Sequence, residues 1–97
     1  LEAVGNVAVA VGRDAGGLYA MTLTCTHAGC NMAMQGNVSA SGVVCNCHGS
    51  RFNVTGAVTQ GPAQDPLTHF AVTVDASGTI TVHGDQTVAS SVRTPVT

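Results

Sequence analysis

The sequence predicts an all-β domain, and three observations carry that prediction. Apolar residues recur with a period of two along most of the chain, the spacing that puts side chains on one face of a strand. Twelve glycines punctuate a composition rich in Val and Thr, as short antiparallel strands joined by tight turns require. No segment sets helix caps around a 3.6-residue pattern. At 97 residues the chain has room for one domain, residues 1–97.

Val7, Val9 and Val11 alternate with small residues, residues 13–17 read as a turn, and residues 18–23 read as a returning strand, which makes a first hairpin. The middle third holds all four cysteines, in Cys25-Thr26-His27-Ala28-Gly29-Cys30 and Cys45-Asn46-Cys47-His48-Gly49-Ser50. Seventeen residues lie between His27 and Cys45. That length fits a strand, a turn around Gly36-Asn37 and a strand back, so the two segments are expected side by side as loop tips. Further on, Phe70, Val72 and Val74 alternate with Ala71 and Thr73, Asp75-Ala76-Ser77-Gly78 turns the chain, and Ile80 and Val82 resume the alternation as a second hairpin. In residues 84–97, Val88, Val92 and Val96 stand four apart, which fits a short helix. The Thr, Ser and Pro95 around them fit an extended tail equally well.

Composition limits both the core and the partners. Only 8% of the residues are charged, against about a quarter in ordinary domains, so neutral polar side chains must solvate the surface. A net charge of −2 without a single lysine excludes the basic footprint of a nucleic-acid-binding protein. No run approaches the roughly 18 apolar residues of a membrane span, and residues 1–11 lack a basic leader region. Membrane attachment is therefore expected only through an N-terminal anchor preceding Leu1. Hydrophobic residues make up 44% but aromatics only 3%, namely Tyr19, Phe52 and Phe70. A core of Val, Ala, Leu and Ile buries less area per residue, so a staple such as a disulfide or metal is expected.

Each Cys/His segment carries two Cys and one His. Two thiolates and two imidazoles are good ligands for zinc, iron or an iron–sulfur centre, with two cysteines left to explain. A Cys2His2 zinc finger takes both Cys from one arm and both His from the other, whereas each arm here mixes them. Mixed arms suit a binuclear centre in which one iron takes both thiolates and the other both imidazoles. On these residues the chain resembles the Rieske [2Fe–2S] proteins. Cys25-Thr26-His27-x-Gly29-Cys30 and Cys45-x-Cys47-His48-Gly49-Ser50 look like the two cluster-binding boxes of the disulfide-containing type found in cytochrome bc and b6f complexes and in arsenite oxidase small subunits.

The resemblance implies a Rieske-type antiparallel β-sandwich, a cluster-binding subdomain of two loops over roughly residues 24–66, and one [2Fe–2S] cluster per chain. It implies Cys25 and Cys45 as ligands of one iron, His27 and His48 as ligands of the other, and a Cys30–Cys47 disulfide. Two thiolates in place of four leave the oxidised centre neutral rather than doubly negative, which eases reduction. A stable disulfide belongs in an oxidising compartment, so the expected location is extracytoplasmic, in a bacterial periplasm or on that side of a membrane.

Ser50 matches the family serine that donates to a bridging sulfide. Phe52 stands where high-potential members carry Tyr, which implies a lower potential. Ala28 replaces the Leu usual in respiratory members, and Asn46 replaces Pro. Gly61-Pro62-Ala63 resembles the start of the loop that covers the cluster, although Gln64 breaks its repeat before Pro66 and Leu67. His69 and His83 read as strand histidines, Met21, Met32 and Met34 as packing at the cluster base, and Arg51 as a solvated surface residue.

The function implied is electron transfer from a quinol or other donor near His27 and His48 to a cytochrome or other redox protein, without independent catalysis. The setting implied is the extracytoplasmic domain of a quinol-oxidising bc-type complex or a soluble relative. The alternatives are a ferredoxin for an aromatic-ring oxygenase, which typically lacks the extra Cys pair, the small subunit of a molybdenum oxidase, and a structural zinc module.

Overall fold

Period-two patterning sorts β-branched and small residues into strands, and the computed structural model, which describes residues 1–5, 7–26 and 29–95, has nine of them and no helix among those residues. They are β1 (Glu2–Ala3), β2 (Val9–Asp14), β3 (Gly17–Thr22), β4 (Gly36–Ser39), β5 (Gly42–Cys45), β6 (Arg51–Phe52), β7 (Val58–Gln60), β8 (His69–Val74) and β9 (Ile80–Val88). Two antiparallel sheets result: one of five strands in the order β1-β2-β3-β8-β9, and one of four in the order β4-β5-β6-β7.

The first hairpin forms as expected, but it is tighter. Asp14 pairs with Gly17, so only Ala15 and Gly16 form the turn, and the Asp14 carboxylate accepts the Gly16 N–H at 2.9 Å. Val7 lies outside the strand, which begins at Val9. In the middle third the reversal falls at Ala40-Ser41 instead of Gly36-Asn37. Gly36 and Asn37 lie inside β4, paired with Cys45 and Val44, and the Ser39 hydroxyl accepts the Ser41 N–H to close the turn.

The C-terminal segment is not helical. An irregularity between Phe70 and Ala71 absorbs the residues around Gly84, so that β9 resumes pairing at Thr87 and Val88. Beyond it the chain runs back to β3. There β8 pairs only with Ala20 and Met21 and leaves backbone groups of Leu18 open. Thr94 takes them, with Leu18 N–H to Thr94 O and Thr94 N–H to Leu18 O both at 2.8 Å, while its hydroxyl donates to Val72 O at 2.6 Å. Unpaired backbone groups in a sheet demand partners, and the tail supplies them. Val96 lies outside the described residues.

β3 is buried on both faces, from Gly17 through Met21. Tyr19 and Met21 point into the main core with Leu23, Met32, Val43, Phe52, Ala63 and Leu67, which joins the two sheets. Leu18 and Ala20 point the other way, onto Val72 and its partly buried neighbours Val9, Val11, Val74 and Val82. The side chains of Cys25 and Cys45 belong to the main core, so the core runs without interruption from the sheets to the loop tips.

Candidate metal centre

The two Cys/His segments make the same pair of backbone hydrogen bonds. In the first, Cys25 N–H bonds Cys30 O and Gly29 N–H bonds Cys25 O, both at 2.8 Å. In the second, Cys45 N–H bonds Ser50 O at 2.8 Å and Gly49 N–H bonds Cys45 O at 3.0 Å. The turn demands a left-handed residue at its fifth position, and both sequences place glycine there. Gly29 has φ 75° and Gly49 has φ 82°. This shared Cys-x-x-x-Gly spacing was readable in the sequence as a repeat of loop geometry.

The loops meet through sulfur. Cys30 and Cys47 form a disulfide with Cα atoms 6.7 Å apart, and its sulfurs lie with that of Cys45 in one group within 4.8 Å. Cys25 and Cys45 are free thiols and almost fully buried. Burial pushes the Cys45 thiol up, and the Cys25 side chain pushes it further, while the backbone N–H groups of Cys47 and His48 aim at its sulfur and pull it down. Such amides stabilise a thiolate once a cation draws off the proton. His48 is exposed at the tip of the second loop. His27 and Ala28 lie outside the described residues.

A third segment braces both loops. Ser50, wholly buried, accepts the Ala63 N–H at 3.0 Å, which occupies a lone pair and leaves the hydroxyl proton for another acceptor. The Thr26 hydroxyl donates to Asp65 O at 2.7 Å, and the Gln60 amide donates to Gly49 O at 3.0 Å. Residues 60–65 thus touch both loops next to Pro62, whose bond to Gly61 is cis. The Thr26 and Gln60 contacts had no signal in the sequence, because any polar residue at the right register can make them.

The remaining candidates fall as follows. Phe52 is buried in the core, as are Met21 and Met32, but Met34 is 66% exposed and packs nothing at the base, because it falls in the turn that follows the first loop. His69 is buried in β8, its Nε2–H donating to Thr55 O at 2.7 Å and its ring stacked on Tyr19, and the half-buried His83 shares a hydrogen bond with Thr73. Both lie in strands and are engaged by neighbouring strand and loop residues. Arg51 is exposed on β6.

Two buried thiols and an exposed imidazole on an all-β scaffold are donors of the kind that a borderline-soft metal or an iron–sulfur centre takes. Comparison with known proteins makes the class specific. The Rieske [2Fe-2S] domain matches residues 2–86, and the chain belongs to that family and carries a [2Fe–2S] cluster. It is 46% identical over 52 residues to the cytochrome b6-f complex iron-sulfur subunit of Prochlorococcus marinus (strain MIT 9303), covering 54% of this chain and 28% of that one. It is 41% identical over 64 residues to the same subunit of Synechococcus sp. (strain WH7803), covering 66% and 35%. The chain therefore spans about a third of the length of the curated relatives it matches.

Among solved structures, the cyanobacterial plasma membrane Rieske protein PetC3 from Synechocystis PCC 6803 superposes with a TM-score of 0.63 at 35% identity, over 78% of this chain and 74% of that one. A chain of the complex of reduced oxygenase and oxidized ferredoxin in carbazole 1,9a-dioxygenase does so with a TM-score of 0.64 at 32% identity, over 92% and 82%. The all-β architecture, the [2Fe–2S] cofactor and electron transfer follow from family membership. The donor set fits such a cluster, since it combines two free buried thiols with an exposed imidazole.

Proposed function

We propose that this domain transfers electrons in a quinol-oxidising, bc-type complex or a soluble relative of one, with Cys25 and Cys45 holding one iron and His27 and His48 the other. The observation that carries the reading is the Cys30–Cys47 disulfide, which locks the two loops together and which the b6f-type boxes contain. The b6-f subunits among its relatives support it. The bound cluster accepts and releases one electron. The chain keeps the two thiols dry in its core and leaves His48 within reach of a donor from solvent. A quinol is the donor and a cytochrome the acceptor. The disulfide supports an extracytoplasmic location, because reducing compartments do not sustain such a bond.

A second reading, a ferredoxin serving an oxygenase, is favoured by the long superposition on the carbazole dioxygenase complex. Redox titration of the iron-loaded protein against pH separates the two. The quinol reading expects a high potential that falls as pH rises into the alkaline range. A low potential that stays flat with pH overturns it in favour of the ferredoxin, and a colourless protein without iron refutes both.

A further inference from the structure

Gln60 ends β7 directly opposite Arg51 in β6, and opposed residues of an antiparallel pair share a face. Gly49 lies two residues before Arg51, diagonal to Gln60, and the Gln60 side chain spans that diagonal to donate from Nε2 to Gly49 O at 3.0 Å. The carbonyl of Gly49 and the N–H of Ser50 are opposite ends of one planar peptide unit. Holding one end fixes the direction of the other.

We propose that Gln60 is a positioning residue for the cluster: by pinning the Gly49–Ser50 peptide it sets the aim of the His48 ring and the Ser50 hydroxyl, and thereby the reduction potential. This rests on the ligand assignment of His48 made above. Gly49 sits between those two residues in the left-handed region, with no side chain of its own to restrain it. The turn's internal bond, Gly49 N–H to Cys45 O, holds only the peptide unit before Gly49. Gln60 restrains the unit after it. A donor on the carbonyl also polarises the peptide, which strengthens its N–H as a donor at the far end. A fixed hydroxyl donor favours the reduced, more negative state. The bond is exposed, so its worth lies in orientation and not in stability.

The test uses Gln60→Leu, which keeps the bulk without the donor, and Gln60→Asn, which keeps the amide one methylene too short to reach. Midpoint potential, electron paramagnetic resonance (EPR) spectrum and thermal midpoint are measured on each iron-loaded variant. Both variants are expected to hold the cluster at unchanged thermal stability, with a lowered potential and a broadened EPR spectrum, Asn behaving like Leu. Unchanged potential and spectrum in both variants overturn the proposal. So does an Asn variant like wild type beside a shifted Leu variant, which marks a role for polarity alone, or loss of the fold in either, which marks Gln60 as merely structural. Nitrogen couplings in the wild-type spectrum report on the ligand assignment separately: their absence refutes imidazole ligation, whereas their presence with unmoved variants refutes only the role of Gln60.

Discussion

Ser50 has one partner fixed by the fold and a hydroxyl proton still to place. Its oxygen accepts the Ala63 N–H, so the hydroxyl proton is directed elsewhere, and a donor next to the cluster stabilises the reduced state. Ser50→Ala is expected to lower the midpoint potential while the visible spectrum shows the cluster retained. An unchanged potential shows that Ser50 serves only as the acceptor for Ala63. The meeting of the two Cys/His segments was legible in the sequence, because few residue types bind iron or form disulfides, and the structure brings Cys45 beside the Cys30–Cys47 disulfide. Gln60 and Thr26 were not legible. Their hydrogen bonds depend on which strand ends opposite which loop, and that register is set by distant residues.

At the scale of elements, long strands were readable and short ones were not. β2, β3, β8 and the start of β9 carry enough alternation to declare themselves, whereas β1 and β6 have two residues each and β7 three, too few to show a period. The tail was ambiguous in sequence because its role is tertiary, to satisfy the open edge of β3. It also brings Arg93 to the first hairpin. There the guanidinium bonds Asp14 at 2.8 Å and covers the Tyr19 ring at 4.3 Å. The hydrogen bond from Arg93 holds the Asp14 carboxyl below its ordinary range. A carboxyl depressed in the folded state adds stability that is present above its unfolded pKa and lost as pH falls through the folded value. Urea midpoints measured as pH falls below about 4 are expected to drop more steeply for the wild type than for Asp14→Asn. Parallel slopes mean that the tail docks without help from this pair.

The molecule as a whole is nearly free of charge, and this decides how it meets a partner. It has three arginines and no lysine. Arg93 is already paired with Asp14, which leaves Arg13 and Arg51 against Glu2, Asp65, Asp75 and Asp85. Electrostatic steering raises association rates by about 10- to 1,000-fold where one partner presents a field of one sign, and salt abolishes the gain. A surface this sparse has no such field to screen. Between about 10 mM and about 1 M salt the Debye length shrinks from about 30 to about 3 Å, which covers the whole range of steering distances. Over that span the second-order rate of electron transfer to a soluble acceptor is expected to change by less than about threefold, below the smallest gain that steering gives. A fall of tenfold or more locates a charged docking site on this surface and refutes association through neutral contacts. Such contacts have the chemistry that the loop tips offer: neutral hydrogen-bonding groups around an exposed His48, braced by a segment whose one charged side chain is Asp65.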